Sequence, residues 1–174
     1  MSTDDHRLAA ELATQAGERL LDLRAAGGDP DALRREGDRS SHEFLAAELA
    51  RHRPGDAVLS EEGADSSGRL TASRVWIVDP LDGTREFGEP GRTDWAVHVA
   101  LWERGELTAG AVALPAQGRV LSTADPSGPP SRPSSLTRLV VSRSRPPEFV
   151  TRLAEKVGEM VGVVVGLARI RMTL

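Results

Sequence analysis

No cysteine occurs in the 174-residue chain. A disulfide framework, a thiol nucleophile and a thiolate zinc site are therefore excluded, and the composition fits a reducing, cytoplasmic compartment. An excess of basic residues is missing as well. The formal net charge is −4, so no basic face offers itself to a nucleic acid polymer. No apolar run is long enough for a membrane: the longest, residues 160–168, falls short of the roughly 20 residues a span needs. The first six residues are polar, and no secretory signal is read there. His6, His42, His52 and His98 are scattered without zinc-ligand spacing and are expected to be structural or superficial. There is no Gly-x-x-x-x-Gly-Lys phosphate loop, and Ser60 lacks the context of a nucleophile elbow. A phosphate ester, if bound, would have to be received by a local site or by a bound metal.

What is present is a globular composition, 39% hydrophobic and 28% charged. Leu8, Leu12, Ala16, Leu20 and Leu23 recur at helical spacing, predicting a helix over residues 4–24 that Gly27 and Gly28 stop. Gly37 and Asp38 are expected to lead into a second helix, with Ser40 and Glu43 at capping-box spacing and Pro54-Gly55-Asp56 at its end. The period then changes. Residues 57–60, 74–78, 95–101, 107–114 and 119–123 read as strands, the third with Trp95, Val97, Val99 and Leu101 on one face. Helices first and a meander of strands after them predict an α+β fold, helices layered on a largely antiparallel sheet. Residues 125–135, rich in Pro, Ser and Gly, read as a linker between a domain over 1–124 and a second one begun over 136–174. A strand over 139–142 and a helix over 147–157 are expected there.

Acidic residues concentrate at Asp38, at Glu61-Glu62 and in the hexapeptide Asp79-Pro80-Leu81-Asp82-Gly83-Thr84. A strand runs directly into Asp79. Pro80 keeps Asp79 out of helical conformation, and Gly83 permits a tight turn. The two aspartates and the Leu81 carbonyl can thus converge, an oxygen-only donor set that suits Mg²⁺. Glu61 closes a neighbouring short strand. Carboxylates brought so close repel one another unless cations neutralise them. Singly, each element has an ordinary explanation: Asp-Gly is a common turn dipeptide and Glu-Glu a common surface pair. Five specified positions of the hexapeptide would coincide by chance with a probability on the order of 10⁻⁴.

The run Trp76-Ile77-Val78-Asp79-Pro80-Leu81-Asp82-Gly83-Thr84 resembles the signature strand and turn of the inositol monophosphatase superfamily, and Leu59-Ser60-Glu61-Glu62 resembles its upstream motif. The likeness extends over about residues 4–155. It implies a layered helix and sheet sandwich and lithium-sensitive, Mg²⁺-dependent hydrolysis of a small phosphate ester. It also implies roles: Glu61, Asp79, the Leu81 carbonyl and Asp82 as metal ligands; Thr84 with Glu61 or Asp38 orienting the attacking water; Gly83, Thr84 and Arg85 at the substrate. Arg85-Glu86-Phe87 is similar to the Lys/Arg-Glu-Phe run of the branch that removes the 3′-phosphate of adenosine 3′,5′-bisphosphate, a by-product of sulfate assimilation. Inositol phosphate and fructose bisphosphate are the alternative substrates.

The family pattern also includes a Trp-Asp motif, supplying a further metal ligand, and a Gly-Ser-Ala-like segment. Neither occurs in this chain, where Asp94-Trp95 has the reverse order. The expectation is a truncated fold with apolar surface left for a homodimer partner or a complementing chain. The rival reading is a non-catalytic remnant, or a module that binds metal without turnover.

Overall fold

The computed structural model describes residues 3–63, 67–126 and 149. Two long helices, α1 (Thr3–Ala26) and α2 (Pro30–His52), precede a five-stranded sheet of β1 (Ala57–Ser60), β2 (Arg74–Asp82), β3 (Ala96–Glu103), β4 (Glu106–Leu114) and β5 (Arg119–Ser122). A single turn of helix, α3 (Thr84–Phe87), lies between β2 and β3. The strands stand in chain order, β1 parallel to β2 and every other pair antiparallel. This is the expected α+β arrangement, with one parallel pair in a largely antiparallel sheet.

Helix α1 carries the predicted stripe. Leu8, Leu12, Ala16 and Leu20 are buried, joined by Ala9 and Ala13. The small side chains Ala109, Ala111 and Ala113 of β4 lie in the same core and let the helix approach closely. A Cβ added at Gly17 would come within 2.6 Å of the Pro115 ring. Gly27 ends the helix with φ +72°, its N–H donating to the Arg24 carbonyl. On the sheet, Trp95, Val97, Val99 and Leu101 are each at most 1% exposed, as their alternation requires.

The second helix differs from expectation. It begins at Pro30 and not behind Asp38, because Asp29 is its N-cap: the Asp29 carboxylate accepts from Ala32 N–H at 2.9 Å, and Pro30 follows in the first turn. Glu43 bonds Arg39 at 2.8 Å and caps nothing. Asp38 therefore sits inside a helix. Gly37 beside it is tolerated there for packing. A Cβ at this position would lie 2.8 Å from Phe87 Cε1 and 2.9 Å from Leu81 Cδ2, and both of those residues are buried. Gly37→Ala is expected to lower the unfolding free energy by about 1–2 kcal/mol, overpacking outweighing roughly 1 kcal/mol of gained helix propensity. Urea unfolding measures it, and an unchanged midpoint would show that Phe87 gives way freely.

No described helix is long and apolar enough to cross a membrane. The strand over 139–142, the helix over 147–157 (but for Phe149), and the residues beyond 126 of the expected linker and second domain lie outside the described residues.

Candidate active site

Strand β2 runs four residues past the expected stop at Val78 and carries Asp79 and Asp82 within it. Its pairing with β3 slips between Asp79↔His98 and Asp82↔Ala96. Pro80 and Leu81 thus oppose the single residue Val97, a bulge. Pro80, with no N–H to donate to a ladder, belongs at such a place. Two bonds fix the bulge. Leu81 N–H donates to Asp79 Oδ1 at 3.2 Å, and the fully buried Ser41 of α2 donates its hydroxyl to the Pro80 carbonyl at 2.8 Å. Gly83 then turns the chain at φ +82°. A Cβ there would sit 3.0 Å from the Asp94 carbonyl oxygen and 3.2 Å from Trp95, so both conformation and space ask for glycine.

Thr84 opens α3. Its Oγ1 lies 3.0 Å from the Leu81 carbonyl oxygen and 3.3 Å from Asp38 Oδ1, joining helix α2 to the turn. Phe87, the last residue of α3, is buried edge-on against Trp95, ring centroids 5.0 Å apart. Arg24 lies over both rings and donates to the carbonyls of Arg92 and Glu89, tethering the loop that follows. Arg85 points outward, its side chain 67% exposed and bonded to Glu89 at 3.0 Å.

Ser60, the last residue of β1, pairs with Val78, which places Glu61, just past the end of β1, beside Asp79 within the adjacent strand β2. The electrostatics bear the mark of this gathering. Burial first, then the charges of Glu61 and Asp82, push the Asp79 carboxyl up to about 7; His98 and the Leu81 N–H act in the opposite direction. Asp38 is raised to about 6 by burial, then by Glu62 and Glu61, against the Thr84 bond. Among the described residues no arginine pairs with Asp38, Glu61, Glu62, Asp79 or Asp82, while Asp5, Asp56, Glu89 and Asp94 all have arginine partners.

Among the described residues, no three Asp, Glu or His side chains are already gathered closely enough to cage an ion. What the structure brings together is oxygen donors and acidic groups with which no arginine pairs among the described residues, and that donor set fits a hard divalent cation. Three participants escaped the sequence reading. Ser41 holds the bulge. His42 Nδ1 lies 2.8 Å from Ser60 Oγ, just ahead of Glu61. His98 reaches Asp82 at 3.2 Å. The signal for His98 is a lone polar ring in the otherwise apolar run 95–101.

Residues 6–142 match the inositol monophosphatase family. A 3′-phosphoadenosine 5′-phosphate phosphatase of Mycobacterium leprae is 48% identical over 170 residues, which take in 87% of this chain and 61% of that protein. One of the same name from Mycobacterium bovis is 49% identical over 151 residues, 80% of this chain and 56% of that protein. The crystal structure of CysQ from Bacteroides thetaiotaomicron has the same fold, with a TM-score of 0.74 at 23% identity over 94% of this chain and 73% of that one. The chain thus spans 61% and 56% of the lengths of these two curated relatives.

Proposed function

Because the chain belongs to the inositol monophosphatase family, we propose that its acidic site removes the 3′-phosphate of adenosine 3′,5′-bisphosphate, a soluble cytoplasmic substrate. The observation that carries this reading is the carboxylate cluster, with which no arginine pairs among the described residues and in which Asp79 holds its proton up to about 7. The similarity to two mycobacterial 3′-phosphoadenosine 5′-phosphate phosphatases supports the substrate. Mg²⁺ is the proposed cofactor, with Glu61, Asp79, the Leu81 carbonyl and Asp82 as its ligands. Such an ion supplies charge neutralisation at the phosphoryl group and a more acidic water.

The chain's own groups do the rest. Thr84 Oγ1 spends its proton on the Leu81 carbonyl or on Asp38, and its lone pairs remain to accept from a water. Asp38, raised to about 6, suits a base working near neutral pH: the water's proton passes to Thr84 Oγ1 as the Thr84 proton passes to Asp38 Oδ1. Glu61, exposed beside Asp79, is the second group assigned to this water. Gly83, Thr84 and Arg85 are assigned to the substrate. Arg85 suits a second phosphate because its surface pair with Glu89 is weak and easily exchanged. Phe87 in the same run is accounted for by the core.

A second reading, a non-catalytic chain, is favoured by the open spacing of the acids: among the described residues no three of them are gathered closely enough to cage an ion. Phosphate release from adenosine 3′,5′-bisphosphate and from inositol monophosphate, with Mg²⁺ and with EDTA, separates the two. The expected result is Mg²⁺-dependent release that prefers the nucleotide. Release from neither substrate by a folded chain would leave the non-catalytic reading.

A further inference from the structure

We propose that His98 is a positioning residue for Asp82: its Nε2–H holds Asp82 Oδ2 so that the carboxylate stands in one fixed orientation toward the cation. The inference rests on the metal-site reading above. It starts from the β2–β3 register. His98 stands opposite Asp79 in the ladder, yet across the bulge its ring meets Asp82, with Nε2 3.2 Å from Oδ2. An ionised carboxylate oxygen only accepts hydrogen bonds, so Nε2 carries the hydrogen and a neutral ring suffices.

The placement is not a general surface pair. The Asp82 side chain is 8% exposed and that of His98 27%, so little water competes for the bond. His98 also departs from its surroundings: Val97 and Val99 on either side are fully buried against the helices, while His98 points to the other side of the strand. Among the described residues no arginine pairs with the acids of the site, and the side-chain donors that reach them are the His98 imidazole at Asp82 and the Thr84 hydroxyl at Asp38. A carboxylate ligand with one oxygen held by a neighbour loses less freedom when the other binds an ion, which is the general role of such outer partners.

The test is Mn²⁺ binding by the full chain, followed by calorimetry and by electron paramagnetic resonance, in His98→Leu, His98→Gln and Asp79→Asn. Leucine fills the space without a donor; glutamine restores an N–H. His98→Leu is expected to bind Mn²⁺ about 10–100-fold more weakly with an altered resonance line, and His98→Gln to recover to within about threefold of the parent. Parent-like binding by His98→Leu, with binding lost in Asp79→Asn, would overturn the inference and leave the metal site standing. Parent-like binding in Asp79→Asn would remove the metal site itself. Should His98→Leu not fold, the glutamine variant decides: binding more than tenfold weaker than the parent, at an unchanged melting temperature, would show that a replacement donor is not enough and overturn the proposal.

Discussion

Asp79→Asn is expected to abolish Mg²⁺ binding and metal-dependent phosphate release, and at the same time to raise the melting temperature of the metal-free chain at about pH 8. Both effects follow from one placement. Asp79 is 4% exposed, and burial, then Glu61 and Asp82, raise its carboxyl from 3.8 to about 7. A carboxyl whose pKa is higher in the folded chain than in the unfolded one favours folding while it is protonated. That contribution is complete below 3.8 and is lost as pH rises through about 7. Asp38 adds the same trend, ending near 6. The metal-free chain therefore loses stability between about pH 4 and about pH 7, by a few kcal/mol for Asp79 at roughly 1.4 kcal/mol per pKa unit. Asparagine keeps an oxygen for the Leu81 N–H, now 3.2 Å from Asp79 Oδ1, but carries no charge to repel its neighbours or to hold a cation. Melting curves in EDTA from about pH 5 to about pH 8 should be flatter for the variant, with its gain largest at the alkaline end. Titration calorimetry with Mg²⁺ gives the other half. Undiminished Mg²⁺ affinity would place the ion elsewhere, and an unchanged slope would mean that Asp79 is not strained by its neighbours.

How far the sequence could be read depended on whether neighbours in the chain or neighbours in space decided each feature. The strand over 57–60 was legible to the residue, since Pro54-Gly55 and the Glu-Glu pair bound it on both sides. The nearness of Glu61 to Asp79 followed once the two strands were taken as adjacent, and the parallel register bears it out. Gly37 misled because a glycine inside a helix looks like a break. Only Phe87 and Leu81, far along the chain, show why that glycine is there. The same error left Asp38 outside the helix that carries it. Ser41, His42 and His98 act across elements, through the Pro80 carbonyl, the Ser60 hydroxyl and the Asp82 carboxylate. Their residue types mark them as polar but do not name their partners, which are set by the packing of α2 against β1 and β2 and of β3 against β2. The short helix α3 was unreadable for a related reason: its single turn is held by Gly83 at one end and by the burial of Phe87 at the other.

Asp5→Ala is expected to destabilise the fold by about 3–5 kcal/mol, far from the acidic site. Asp5 lies in the first turn of α1 and is 2% exposed. One carboxylate oxygen accepts from Arg53 Nε at 2.9 Å, and the other from Arg74 Nη2 at 3.1 Å. Arg53 is the C-cap residue of α2. Arg74 opens β2 and also meets Asp56, with Nε 3.0 Å from both carboxylate oxygens, and Glu103 at 3.3 Å. Trp76 Nε1 completes the group with a bond to Asp56 at 2.9 Å. The network therefore ties α1, α2 and the entry of β1 to the start of β2 and the end of β3. Removing the buried acid leaves two guanidinium groups with fewer acceptors in a place water reaches poorly, and that imbalance is why deleting one partner costs more than the pair contributes. The network stands at the opposite end of β2 from Asp82, on the order of 25 Å away at about 3.3 Å per residue. Stability and metal binding should separate accordingly. The urea midpoint of Asp5→Ala should fall steeply, while Mg²⁺ affinity measured where the variant is still folded should stay within about twofold of the parent. A loss below about 1 kcal/mol would mean that Arg53 and Arg74 find water or other acceptors in its place. A matching loss of Mg²⁺ affinity would show that the two ends of β2 are coupled.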